Sequence, residues 1–351
     1  MKKKVKKFLN KIKFKPYIIA EIGVNHEGSI IKAKKMISEA KSAGANAVKF
    51  QTYKANLLAS KNSPAYWDLK KEKTKNQYEL FKKFDSFDQK EYKILSKYCI
   101  KKKIDFLSTP FDLPSVDFLN PLVPYFKIAS ADITNLPLLE KIGKKRKIIF
   151  LSTGASNLKE IKKALNILKK NGCPLVVLLH CILNYPTDKK NANLKMILHL
   201  KKNFKNNIIG YSDHTLPDKF MQSITTAYLL GAQVIEKHFT FNKKIKGNDH
   251  YHSMNKKDLK VLREHLDMIN LSIGRASIKK PISSEFKSRL NARRSIALTR
   301  NIKKNEKIRK NDLISKRPGT GISPMFFYKI IGKRVKINLR SDHILKWKDL
   351  K

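Results

Sequence analysis

From Tyr17 onward the chain repeats one pattern eight times. An apolar run of strand length ends in polar residues, and a segment with helical spacing of its apolar positions usually follows. The runs are residues 17–24, 47–53, 105–111, 125–130, 148–154, 175–182, 207–214 and 233–240. Between them, residues 29–43, 89–101, 158–170, 193–202 and 219–230 show the three-to-four-residue apolar spacing of amphipathic helices. Alternation of this kind predicts a (β/α)8 TIM barrel, which is an α/β fold with a parallel sheet closed on itself. No Gly-rich dinucleotide turn follows the first run, which disfavours a doubly wound sheet.

A barrel places its active site at the C-terminal ends of its strands. Those ends carry Glu21 and Asn25, Lys49 and Gln51, Ser108 and Thr109, Lys127 and Ser130, and Ser152 and Thr153. The series closes with Asn184 and Tyr185, Ser212 and His214, and Glu236 and His238. Side chains two apart on a strand share a face, so Ser212 goes with His214 and Glu236 with His238. Two imidazoles at matched strand ends suit a divalent metal, with a nearby carboxylate to orient or join them. His26, Glu27, Asp249 and His250 fall in other loops, so the ligand set stays open at this point. Lys49 and Lys127 lie within apolar sequence, where a lysine needs an anionic partner or a polar cavity. With the neighbouring hydroxyls they form a candidate phosphate and carboxylate cradle; a buried structural ion pair is the competing reading.

Composition changes this picture little. The 351 residues carry 76 Lys and Arg against 28 Asp and Glu, a net charge of +48. The lysines are spread over nearly every expected helix instead of forming a stripe, and no zinc-finger or aromatic-basic RNA motif accompanies them. A dedicated nucleic-acid or membrane partner is therefore not expected. Three cysteines give no disulfide framework and point to a cytoplasmic setting. The first 16 residues read as a basic, solvated N-terminal tail without the features of a signal peptide, with a basic surface helix as the alternative. Residues 17–273 make the barrel, 274–291 a linker, and 292–351 a small β-rich domain interrupted by the turn-rich loop Arg317 to Pro324. Its short β pieces are expected at residues 295–299, 307–308, 330–331 and 334–337.

Taken together, the motifs resemble those of sialic acid synthases. They are Ala20 to Gly28, Lys49 to Thr52, Ser108 to Asp112, Lys127 to Ser130, Ser152 to Gly154, Tyr211 to Thr215 and Glu236 to Thr240. The loop from Arg317 to Pro324 is similar to that of the antifreeze-like SAF domain attached to those barrels. The resemblance spans roughly residues 17–350. It implies condensation of phosphoenolpyruvate with an N-acyl hexosamine to a nine-carbon nonulosonic acid and phosphate. It further implies that His214 and His238 bind a divalent metal (manganese, magnesium or cobalt) that polarises the sugar aldehyde. Lys49, Thr109, Lys127, Ser130, Ser152, Asn184 and Ser212 would hold phosphoenolpyruvate, with Glu21, Glu236 and Asp249 as catalytic carboxylates. Gln51, Tyr185, Asp249 and Arg317 would contact the sugar, Arg317 from the SAF domain of a partner in a swapped homodimer. The chain departs from the family pattern at Leu183, where a Ser or Asn is usual, and after the Gly-x-Asp-His core beginning at Gly247. By this resemblance the acceptor would be N-acetylmannosamine or a relative such as a diacetamido-trideoxyhexose. A metal-dependent aldolase or another phosphoenolpyruvate-condensing barrel is the alternative enzyme, distinguished by whether phosphate is released. A non-catalytic basic binding protein is the alternative outside enzymes, and would show steep salt dependence without turnover.

Overall fold

The computed structural model describes residues 2–247, 249–274 and 276–351, in two compact units, 1–274 and 275–351. In the first unit eight parallel strands follow one another: β1 (Tyr17–Gly23), β2 (Ala47–Thr52), β3 (Asp105–Pro110) and β4 (Phe126–Ile128), then β5 (Ile149–Ser152), β6 (Val176–His180), β7 (Ile208–Asp213) and β8 (Val234–His238). They are hydrogen-bonded in the order β3-β2-β1-β8-β7-β6-β5-β4. β3 and β4, at the two ends of that order, lie side by side and complete the ring. β4 is shorter than the apolar run that announced it, because the chain turns at Ser130–Asp132 into a 3-10 turn.

The period-two alternation of each strand sorts its side chains. Ile18, Ala20 and Ile22 of β1 face outward into the layer of helices, with residues such as Met36, Leu95 and Leu262. Tyr17 and Ile19 face inward and join Ala47, Leu107, Phe150, Val177, Leu179 and Val234 in an apolar floor. Two residues further along the same inward rows stand Glu21, Lys49, Thr109, Ser152 and Glu236, so the interior passes from apolar to polar toward the C-terminal ends. Gly210 belongs to that inward row of β7, and nothing larger fits there. A Cβ at this position would lie 2.4 Å from the Val234 carbonyl oxygen and 2.5 Å from Leu179 Cδ2.

The N-terminal segment corrects the expectation of a solvated tail. Lys2–Ile12 is a helix that buries Phe8 and Ile12. Phe8 meets Tyr17, Tyr125 and Phe150 with ring centroids 5.7, 5.1 and 5.6 Å away. Val5, Phe8 and Ile12 share one helical face, and that face stoppers the barrel floor while the lysines other than the half-buried Lys11 stay exposed. Phe8→Ala should therefore destabilise the barrel by about 3–5 kcal/mol, the usual range for an emptied aromatic core site. Denaturant unfolding checks this, and a change below about 1 kcal/mol would return the segment to the status of a tail.

In the second unit β9 (Ser295–Leu298) pairs antiparallel with β10 (Leu313–Lys316) around a small core that includes Ile296, Ile322, Val335 and Leu345. Residues 307–308 and 334–337 contribute isolated bridges, Lys307 to Arg334 and Val335 to Leu350. The expected β piece at Ile330 is instead the end of a short helix, Phe327–Ile330, whose apolar residues pack on one side into the core. Within the stretch read as a linker, Phe286–Ala292 forms a short helix with no buried side chain.

Candidate functional site

Strand register brings the site residues of the first unit together. Glu21 is paired with Lys49 across β1 and β2 and with His238 across β1 and β8, while Ser212 is paired with Glu236 across β7 and β8. In this layer Lys49 Nζ lies 2.7 Å from Glu21 Oε2 and donates to Thr109 Oγ1 at 3.0 Å. Gln51 Nε2 donates to Glu21 Oε1 at 3.3 Å. Lys127 Nζ stands 3.7 Å from Glu236 Oε1, which also accepts from Ser212 Oγ at 3.1 Å. Ser130 Oγ accepts from the Gly154 amide at 3.0 Å and touches Cys181 Sγ at 2.9 Å. A Cβ on Gly154 would come within 2.9 Å of Ser130 Oγ, so glycine is what allows this close approach.

Two buried lysines and two buried carboxylates thus compensate each other at the polar end of the barrel interior. Burial pushes the Glu21 carboxyl up to about 7, against the opposing pull of Lys49, with Glu236 adding to the rise. Burial acts on Glu236 in the same sense, but Lys127 and Lys49 overcome it and hold this carboxyl below its ordinary range. Burial lowers Lys127, with Glu236 opposing. Neighbouring carboxylates are thereby driven apart, Glu21 able to exchange a proton near neutrality and Glu236 fixed as an anion. The Ser152 hydroxyl and Glu236 Oε2 are buried and make no hydrogen bond within the protein, and both belong to this polar layer.

Beside this layer lies a nest of imidazoles. His238, Asp249 and His252 each offer a donor atom within 4.8 Å of the others. His238 Nδ1 is 3.6 Å and His252 Nε2 3.9 Å from the Asp249 carboxylate. Neither nitrogen of the fully buried His252 ring has a hydrogen bond, and His238 Nδ1 also lacks one. Buried polar atoms left in this way are costly unless something else satisfies them. His214 adjoins the nest with its ring 5.8 Å from that of His238. Its Nδ1 lies 2.7 Å from the Ile182 carbonyl, so a neutral ring donates there and presents Nε2 as a free lone pair. Burial pushes His214 down to about 4, and His238 and His252 also lie well below the ordinary histidine range, first through burial and then through neighbouring imidazoles, His252 and His214 acting on His238 and His214 on His252. Neutral imidazoles beside a carboxylate are the donor set that a divalent ion takes. By this chemistry the residues fit the metal that the sequence implied.

The remaining loop histidines are engaged elsewhere. His26 stacks on Phe87 at 4.1 Å and accepts from the Gly28 amide, and His250 Nδ1 lies 2.7 Å from Thr240 Oγ1. Glu27 is bound by Lys32 at 2.6 Å. Tyr185 is brought in, its ring 4.2 Å from that of His214. Asn184 is not: its side chain is exposed, and Leu183 lines the pocket in its stead. The alternation that buries Cys181 turns Leu183 inward and sends Asn184 out. Arg317 is an exposed residue of the second unit. Two features were not assigned from sequence. His252 is one. The other is the pair Lys237 and Asp213, joined at 2.6 Å on the outward rows of β8 and β7 directly behind the histidines. Lys237 also donates to the Thr215 carbonyl, which ties together the chain ends that carry His214 and His238. A lysine inside an apolar strand was the available signal for that pair.

Above the polar layer opens a pocket of about 140 Å3 bounded by His238, Asp249, Gln51 and Tyr185. Its outer wall is aromatic and aliphatic, from Tyr53, Tyr66, Phe81, Phe84, Phe111 and Leu183. A closed parallel barrel with paired lysines and a neutral-imidazole nest at its C-terminal mouth is suited to metal-assisted chemistry on an anionic substrate. Comparison with known proteins makes the class specific. Residues 36–278 match the NeuB family and residues 293–351 match the SAF domain. The N,N'-diacetyllegionaminic acid synthase of Campylobacter jejuni is 43% identical over 337 residues, covering 95% of this chain and 99% of that protein. The synthase of the same name from Legionella pneumophila is 39% identical over 341 residues, covering 95% and 94%. The crystal structure of N-acetylneuraminic acid synthetase from Leptospira borgpetersenii superposes with a TM-score of 0.69 at 36% identity, covering 78% of this chain and 90% of that one. The chain belongs to the NeuB family.

Proposed function

We propose that this enzyme condenses phosphoenolpyruvate with a diacetamido-trideoxyhexose, giving a nine-carbon nonulosonic acid and phosphate for surface glycans. The observation that carries the reaction is the paired Lys49–Glu21 and Lys127–Glu236 layer beside the His238–Asp249–His252 nest. Lys49 and Lys127, with Thr109, Ser130, Ser152 and Ser212, hold the phosphate and carboxylate of phosphoenolpyruvate. A divalent ion bound by His238, Asp249 and His252 or His214 would polarise the aldehyde of the open-chain sugar. The methylene carbon of phosphoenolpyruvate bonds to the aldehyde carbon, and water then adds at the cationic carbon that bears the phosphate ester. The adduct loses phosphate to leave the keto acid. Glu21 suits the proton exchange with that water, because its carboxyl is raised to about 7. Glu236 stays charged and fixes Lys127 and Ser212.

The choice of acceptor rests on the pocket wall. Among its described lining residues there is no Lys or Arg, and its outer part is aromatic. That surface favours the methyl and acetamido groups of a deoxysugar over a phosphate ester. The diacetyllegionaminic acid synthases among the relatives support the same assignment. A panel of N-acetylmannosamine, its phosphate ester and the diacetamido-trideoxyhexose tests it. Highest kcat/KM on the deoxysugar is expected; preference for the phosphate ester would refute the acceptor and leave the reaction standing.

Manganese is the preferred ion in this reading, and the setting is cytoplasmic, in keeping with three free cysteines. A domain-swapped homodimer, in which the SAF domain of one subunit delivers Arg317 to the sugar of the other, completes it. Arg317→Ala should then raise the KM for sugar about tenfold or more with little change in the KM for phosphoenolpyruvate. Equal effects on both would contradict a sugar contact.

A further inference from the structure

A cavity of about 470 Å3 lies at the opposite end from the polar mouth, between the N-terminal helix and the strand starts. Its position follows from its walls: Asp105 opens β3, and Ile148 immediately precedes β5. Five cations reach it, namely Lys4, Lys7 and Lys11 from successive turns of the helix, and Arg146 and Lys147 from the turn before β5. Asp105 is the one carboxylate among its described lining residues. It is already taken, by Lys11 at 2.5 Å and by the Tyr17 hydroxyl at 2.5 Å. Among the described residues Lys147 has no acidic partner, and it donates instead to the carbonyls of Asn120 and Val123. The rest of the wall is apolar, with Ile100, Leu122, Pro124 and Tyr125.

Like charges gathered without counter-charge repel one another, and a half-buried lysine is further penalised by lost hydration. Lys147 registers both effects, held down at about 8 by burial and by Lys4. The catalytic layer uses its lysines differently, since each of those is matched with a carboxylate. An uncompensated cluster in a cavity with apolar walls is complementary to a ligand with a multiply charged anionic end and a flat or apolar body. The net charge of +48 cannot by itself account for the arrangement, because the other lysines are spread over open helix faces. We propose that the floor cavity is a second ligand site, separate from the catalytic mouth, which takes a small phosphate-bearing molecule of the nucleotide class. Lys4, Lys147 and the Arg146 fork hold the phosphate, and the apolar wall receives the body. The N-terminal helix is therefore both stopper and ligand clamp.

Calorimetric titration of the full-length protein with adenosine monophosphate tests this, at physiological salt and with saturating phosphoenolpyruvate filling the mouth. One saturable site per chain is expected, weakened at least about tenfold in Lys4→Gln/Arg146→Gln and unchanged in Lys162→Gln/Lys257→Gln. Both pairs are solvent-facing, and thermal unfolding confirms that the variants remain folded. Three results would overturn the assignment. These are no saturable binding, an equal loss in both variants (diffuse charge alone), or displacement by phosphoenolpyruvate (binding in the mouth). Inorganic phosphate binding as tightly as the nucleotide would overturn the role given to the apolar wall.

Discussion

His238→Ala is expected to lower kcat by on the order of 10³ while the barrel stays folded. Its imidazole closes β8, faces Glu21 across the sheet, and shares the nest with Asp249 and His252. Removing it takes away a buried donor without touching the apolar floor, so thermal stability should change little. The same variant should bind manganese more weakly, read by calorimetry or by the paramagnetic spectrum of free ion, independently of turnover. His252→Ala gives the finer comparison. Both nitrogens of that ring are buried and unbonded, so its loss should weaken manganese retention by about tenfold or more. If His252→Ala leaves retention unchanged and His214→Ala abolishes it, the donor set is the histidine pair at the strand ends. Near-normal turnover in His238→Ala would remove the metal centre from the account.

Lys127→Met has the second largest expected effect, acting on the other substrate. Lys127 is buried and, among the described residues, has only Glu236 and the Ile128 carbonyl within reach. In the proposed function it receives a phosphate or carboxylate oxygen of phosphoenolpyruvate. Loss of a charge-assisted bond of this kind is worth about 1.5–3 kcal/mol, so the KM for phosphoenolpyruvate should rise about 10–100-fold. Glu236 would also lose its main counter-charge, and its carboxyl would rise toward the neutral range, so the variant should fall off in stability as the pH rises. The sign follows from the raised folded-state pKa: such a carboxyl favours the fold only while protonated. An unchanged KM, with stability alone reduced, would make the lysine a structural ion-pair partner.

The barrel was legible because parallel strands covered on both faces are continuous apolar runs, and their polar ends mark the mouth directly. Lys49 and Lys127 stood out for the same reason, as cations inside apolar sequence. What escaped was set by tertiary packing. The N-terminal helix carries its apolar residues at Val5, Phe8 and Ile12, but with lysine between them only the open barrel floor gives that face something to cover. His252 lies in a loop without periodicity, and nothing in its neighbours tells that it is turned toward His238 instead of solvent. Asn184 and Leu183 exchange their expected places because strand alternation continues past the end of β6. The cations of Lys4 and Arg146 are far apart in sequence, and only the ring of strands brings them to one cavity.

Phosphoenolpyruvate and an N-acyl hexosamine are proposed to react at this mouth. The most direct test of this reaction is to follow phosphate from phosphoenolpyruvate in metal-loaded protein, with and without the sugar, and to weigh the product by mass spectrometry. Phosphate release that requires the sugar is expected, with one nine-carbon keto acid formed for each phosphate. Pyruvate addition without phosphate release, or no keto acid from any N-acyl hexosamine in folded, metal-loaded protein, would contradict the proposed reaction.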